Sequence, residues 1–278
     1  MVKNEKLKVV LARVVLFFVL FLMYLPILVL IVFSFTKSTE LGTWTGFSLQ
    51  LYKDLFENKS LMRAIGNTLL IALVSALVST ILGTLGAVGT FYTRKRAKKS
   101  IETMTQLPVV NAEIVMALSL AVLFKAVNAS YTFLTLLVGH VVLTVAFVYL
   151  NVKPRLVKMD SSIYEAALDL GATPRVALFK IILPEILPGI FSGFLISITL
   201  SLDDFVITQY LKEPSFETIS TYIQKIVVKH PIPAEVRALT TLLFLVVLGM
   251  VIAITIYNNK KANKQLSAMN AKMRGVIK

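Results

Sequence analysis

The chain has 278 residues, 56% hydrophobic and only 16% charged, with a mean hydropathy of +0.79. Soluble domains carry about 25% charged residues, so this composition excludes an ordinary water-soluble enzyme. The net charge of +14 does not indicate nucleic acid, because Lys and Arg fall between long uncharged runs; the absence of cysteine excludes disulfides and thiolate metal sites, and His140 and His230 form no ligand cluster.

A bilayer core of about 30 Å is crossed by roughly 20 apolar helical residues. Six runs are predicted to span it, at about residues 10–36, 65–92, 104–127, 131–151, 186–211 and 238–257. The first is longer than a signal-peptide core, and Phe33-Ser34-Phe35-Thr36 offers no small-residue cleavage site, so it reads as a retained helix. The loop after it holds Trp44 and a short amphipathic stretch near Leu51, Tyr52 and Leu55. The second span carries a ladder of small residues, Ser75, Ser79, Gly83 and Ala87, which suits close helix packing, either within the chain or against a second subunit.

The third span is expected as one helix with Glu113 inside it and Lys125 at its outer end. A bare turn, Asn128 to Tyr131, leads to the fourth span. The fifth contains Gly189 and Gly193, a second small-residue pair, and is interrupted by Asp203-Asp204. In the loop that follows, Ile219, Tyr222, Ile223, Ile226 and Val227 fall on one helical face, with His230-Pro231-Ile232-Pro233 as the expected stop. The sequons at Asn58 and Asn128 are read as chance matches.

Basic residues set the orientation. Twenty of the 29 Lys and Arg lie in the N-terminal arm, the loop after the second span, the loop at 152–185 and the C-terminal tail. Six spans with both termini in the cytoplasm place all four of these segments inside.

The loop at 152–185 has a shape dictated by local chemistry. Ser162-Ile163-Tyr164-Glu165 fits a capping box that opens a short helix. Gly171 suits the left-handed position after its end, and Thr173-Pro174 reads as the N-cap and first residue of a second helix. Pro184 and Pro188 punctuate the approach to the fifth span. The full pattern is Glu165-Ala166-Ala167, Gly171, then Ile181 and Leu183-Pro184. It resembles the EAA loop of bacterial ABC importer permeases, which docks on the ATPase subunit. The resemblance implies an all-α, polytopic, type I (MetI-like) permease fold over the single domain 1–278, with ATPase coupling through Glu165, Ala166, Ala167, Gly171, Leu183 and Pro184. The chain has no Gly-Lys pair and hence no phosphate-binding G-x-x-x-x-G-K-[ST] loop, so ATP and Mg are expected on a separate ATPase and no cofactor in this chain.

Carboxylates are expensive within a bilayer and usually face a cavity or a partner. Glu113, Asp203 and Asp204 are therefore candidates for a cation pathway, with neutralisation by Lys125 or backbone as the structural alternative. Asp203 and Asp204 are adjacent, so on a helix they point about 100° apart and one could face the path while the other pairs locally. The stretches Asn111 to Ser119, Ser201 to Val206, Pro214 to Glu217 and Glu235 to Leu239 resemble spermidine/putrescine importer permeases of the PotC type. One departure is Glu113, where such relatives often have Asp. The resemblance implies a bacterial inner-membrane assembly with a homologous second permease, two ATPase subunits and an extracytoplasmic polyamine-binding protein, embedded in lipid and without nucleic acid. Trp44 is read either as an interfacial anchor or as an outer-gate aromatic that meets the arriving amine by cation–π attraction. The competing readings are an ABC permease for another cationic or small solute, and a secondary transporter that needs no ATPase.

Overall fold

The computed structural model describes residues 2–38, 40, 42–159, 161–228, 233–249, 252 and 256. It falls into two units, residues 1–59 with 229–278, and residues 60–228. Every regular element among the described residues is helical.

The first unit contains α1 (Val2–Ser34), α2 (Gln50–Glu57) and a helix over 234–249, here α12. α2 buries Leu51 and Leu55, the two leucines of the expected amphipathic stretch. The loop between α1 and α2 is tied to itself: Thr36 bridges Phe47, and Phe35 stacks on Phe47 with ring centroids 5.6 Å apart. Arg237 of α12 is buried and donates to the carbonyls of Phe33 and Ser38. It thereby satisfies one carbonyl of the last turn of α1 and one of the loop that follows. Asn58 also reaches Glu235, at 3.3 Å. The sixth expected span is helical through 249, and the rest of it lies largely outside the described residues, as does the expected stop at His230, Pro231 and Ile232.

The second unit runs through α3 (Lys59–Phe91), α4 (Lys95–Val110), α5 (Glu113–Ala126), α6 (Phe133–Lys158), α7 (Ser161–Asp169), α8 (Pro174–Ala177), α9 (Leu183–Asp203), α10 (Val206–Leu211) and α11 (Ile219–Val227). The described residues include four helices long and apolar enough to span a membrane, or five if α4 and α5 count as one broken span.

The small-residue ladder of α3 packs within the chain. Ser75 reaches Ser201, Ser79 shares a 2.6 Å hydrogen bond with Thr144, and Ala87 lies in the cluster around Val148, Val152 and Ile186. Gly83 is the tightest rung: a Cβ there would lie 2.6 Å from Val148 Cβ. Gly189 and Gly193 bring α9 equally close to α6. In lipid, where hydrophobicity does not drive helices together, such contacts carry the packing. Gly83→Val is expected to force α3 and α6 apart at a cost of about 1–3 kcal/mol. The check is the thermal midpoint of the detergent-solubilised protein; an unchanged midpoint would contradict the packing argument.

Two expectations need correction. The third span is not one helix: α4 and α5 meet at 106° across Asn111 and Ala112, whose backbone is extended. Pro108 lies inside the last turn of α4, which Asn111 N closes on Leu107 O before the backbone turns extended. The fifth span is helical from Pro174, well before residue 186. The strain of Pro184 falls beside a π-helical turn, Leu178–Ile182, in which Leu183 N reaches back to Leu178 O. Proline clashes with the carbonyl four residues behind it, and the widened turn relieves that crowding.

Candidate functional site

The loop at 152–185 forms as a helix, a glycine corner and a second helix. Gly171 adopts φ +84°, and the bonds Ala172 N to Ala167 O and Gly171 N to Leu168 O make the corner a Schellman motif. Thr173 Oγ1 accepts from Val176 N and Pro174 follows, as the spacing predicts. Ser162 differs from expectation: α7 starts at Ser161, which puts Ser162 inside the first turn rather than at the cap. Serine is tolerated in a first turn, whose N–H groups have no intrahelical partner.

Glu165, Ala166, Gly171 and Pro184 are exposed, whereas Ala167 and Leu183 are half-buried. Leu170, at the tip, is 89% exposed. Behind the loop, Tyr164 packs on Tyr92, with centroids 5.5 Å apart, and joins the core cluster with Leu156 and Ile182. The loop thus presents one open face and braces the other on the ends of α3, α6 and α9. The ion pair Lys153–Glu102, at 2.9 Å, ties α4 to α6 on the same side.

The second centre lies where two helices break. Glu113 opens α5, immediately after the α4–α5 bend, and Asp203 closes α9. Both are exposed. α10, which follows the second break, packs on α5, which Glu113 opens.

Asp204 has a different role from Asp203. It is 4% exposed, and its carboxylate takes over the capping of α10: Oδ1 accepts from Ile207 N, and Oδ2 from Thr208 N and Thr208 Oγ1. A carboxylate that bonds the next turn's N–H groups competes with the helix behind it, which is why α9 stops here. Of the two adjacent acids, Asp204 is the one that bonds locally, while Asp203 stays exposed. Lys125 is not the neutraliser, since among the described residues no ion pair joins it to any of the three acids.

His140, on α6, completes the cluster, and the sequence reading passed it over. The ring is fully buried, with Nδ1 2.7 Å from Ser201 Oγ, Nε2 3.0 Å from Thr208 Oγ1 and Nε2 3.5 Å from Asp204 Oδ2. Thr208 Oγ1 gives its proton to Asp204, so Nε2 must donate to Thr208. In a neutral ring Nδ1 then accepts from Ser201, whose oxygen in turn accepts from Ser75 at 3.1 Å. All donors in this chain point toward the Asp204 carboxylate. The available signal was an ionisable residue in the middle of an apolar span, which marks a site by default.

Trp44 belongs to the other unit. It is 52% exposed on the loop between α1 and α2, flanked by Gly42 and Gly46, whose φ values are +87° and +103°.

An all-helical, multi-pass architecture with broken spans and a braced helix–glycine–helix loop defines an inner-membrane permease subunit of an ABC transporter, a transporter rather than an enzyme. The chain belongs to the family described as binding-protein-dependent transport system inner membrane component, which matches residues 5–262. It is 38% identical over 231 residues to the spermidine/putrescine transport system permease protein PotC of Escherichia coli K12, covering 83% of this chain and 87% of that relative. Its identity to the Haemophilus influenzae protein of the same name is 37% over 230 residues, covering 83% and 89%. The E. coli K12 putrescine permease PotI is 36% identical over 250 residues, covering 87% and 88%. Among solved structures, a bacterial ABC transporter that imports the acidic polysaccharide alginate superposes with a TM-score of 0.69 at 20% identity, covering 91% of this chain and 93% of that one. The MetNI methionine transporter gives 0.57 at 19%, covering 70% and 92%. These likenesses show the type I importer permease fold.

Proposed function

We propose that this permease forms half of the translocation pathway of an ATP-driven polyamine importer. The observation that carries the reading is that two exposed carboxylates, Glu113 and Asp203, each stand at a helix break, in a chain whose relatives are named for spermidine and putrescine transport. A polyamine is a flexible chain of separated ammonium groups. Two spaced carboxylates replace part of its lost hydration, and a path open to water keeps that binding weak enough for release. The fold alone does not choose the substrate, since the superposing alginate transporter is named for a polyanion.

Energy arrives from outside the chain. Two ATPase subunits bind ATP and Mg, and a homologous permease supplies the other half of the path. An extracytoplasmic binding protein delivers the amine. The exposed face carrying Glu165, Ala166 and Gly171 receives the ATPase, while the packing of Tyr164, Leu178 and Ile182 passes its movement to α6 and α9.

The experiment is reconstitution of the permease pair, ATPase and binding protein in liposomes. ATP-dependent uptake of labelled spermidine or putrescine is the expected result. Uptake that proceeds without the ATPase would instead favour a secondary transporter, and ATP-driven uptake of other solutes alone would refute the polyamine assignment. In the same assay, Trp44→Phe is expected to keep most activity and Trp44→Ala to lose several-fold, because an aromatic face attracts a cation by about 0.5–2 kcal/mol. Equal uptake by the two variants would leave Trp44 as an interfacial anchor.

A further inference from the structure

We propose that His140 is a positioning residue for transport: it clamps the α9–α10 break to α6, fixes where Asp203 stands relative to Glu113, and so tunes which spacing of positive charges the pathway carries. The inference rests on the polyamine reading above. His140 is 0% exposed and touches no open path, so it acts through its neighbours.

Its two nitrogens bond to opposite sides of one break. Ser201 lies in the last turn of α9 and Thr208 lies in α10, with Asp204 and Phe205 between them. A helix interrupted for two residues has soft dihedrals at the joint and, untied, pivots there. The imidazole removes that freedom, because its donor and acceptor are held at fixed separation on a rigid ring. The anchor beneath it is firm. α6 is packed against α9 at Gly193 and against α10 at Gly139, where a Cβ would lie 2.5 Å from Leu211 Cδ1. Asp203 immediately precedes the joint and is exposed, and α10 beyond the joint packs on α5, which Glu113 opens, so a pivot there changes how the two acids stand to each other. A second line of bonds supports the clamp: Ser220 Oγ donates to Asp204 O, which ties α11 to the same corner.

The test uses the assembled transporter in liposomes, with saturating binding protein loaded with either a diamine, putrescine, or a triamine, spermidine. His140→Phe keeps the ring volume and removes both hydrogen bonds. His140→Gln keeps one donor and one acceptor. For His140→Phe the expected result is normal assembly with the ATPase, a fall in maximal uptake of about 10-fold, as for a site whose supporting shell is loosened, and a shift of about 3-fold or more in the putrescine-to-spermidine rate ratio. His140→Gln is expected to restore most of both. Should His140→Phe fail to assemble, His140→Asn, which reaches Ser201 alone, is read in the same way.

An independent arm needs no substrate. The chain has no cysteine, so Asp203→Cys supplies a single thiol. Its reaction rate with a charged thiol reagent is expected to change by about 3-fold or more in the His140→Phe background, since thiol labelling follows exposure and local field. Proportional loss of both amines, or an unchanged labelling rate, overturns the proposal and leaves His140 as a packing residue. Wild-type protein that carries neither amine refutes the substrate reading, and the labelling arm then decides the positioning role alone.

Discussion

Asp203→Asn is expected to reduce polyamine uptake by at least about 10-fold while leaving folded protein and ATPase assembly at wild-type levels. The carboxylate is exposed and closes α9, so neutralising it removes charge from the path without disturbing a buried bond. In the proposed pathway that charge replaces hydration the amine has shed. Asp204→Asn should behave differently. An amide has one oxygen where the carboxylate has two, and Asp204 accepts three hydrogen bonds divided between both oxygens. At least one buried donor is left unsatisfied, or faces another donor, at a cost of about 1–3 kcal/mol. The expected signature is a lower thermal midpoint and reduced protein in the membrane, with uptake falling in step. Uptake by Asp203→Asn at the wild-type rate would remove Asp203 from the pathway. Full stability of Asp204→Asn would contradict its capping role.

Gly171→Leu is expected to abolish ATP-driven uptake although the protein still inserts. A left-handed backbone costs an L-residue roughly 1–2 kcal/mol. Here φ is +84° and the corner is held by two Schellman bonds, so a branched side chain must either keep the strain or open the corner. There is empty space around Gly171, so the penalty comes from backbone conformation rather than collision. Gly171→Asn is the control, because asparagine tolerates the left-handed region. Co-purification of the ATPase and uptake are both measured. Loss in the leucine variant with substantial recovery in the asparagine variant is expected, and wild-type uptake by Gly171→Leu would exclude the loop from coupling.

Much of the coupling loop was legible in the chain because its determinants are local. Gly171, Thr173 and Pro174 act through backbone dihedrals and caps within a few residues of themselves, and each stands where spacing placed it. The α2 and α11 amphipathic helices follow for the same reason, their apolar periodicity being a property of adjacent turns. Local rules also found the interruption at Asp203-Asp204. They did not find the 106° bend at Asn111-Ala112, since composition and length alone fit one continuous span.

The sequence by itself determined the class of protein. Long uncharged runs, the distribution of basic residues and the loop from Glu165 to Pro184 specify a multi-pass permease, whatever the helices touch. Tertiary structure decided which acid does what. Asp203 and Asp204 are chemically alike and adjacent, and only the position of α10 makes one an internal cap while the other stays open. It likewise assigned the small-residue ladder of α3 to contacts within the chain and placed His140 between Ser201 and Thr208, partners 61 and 68 residues away. Hydrogen bonds and close packing depend on distances between segments far apart in sequence. Periodicity fixes the face a residue occupies on its own helix, whereas the neighbour opposite that face is set by how the helices pack.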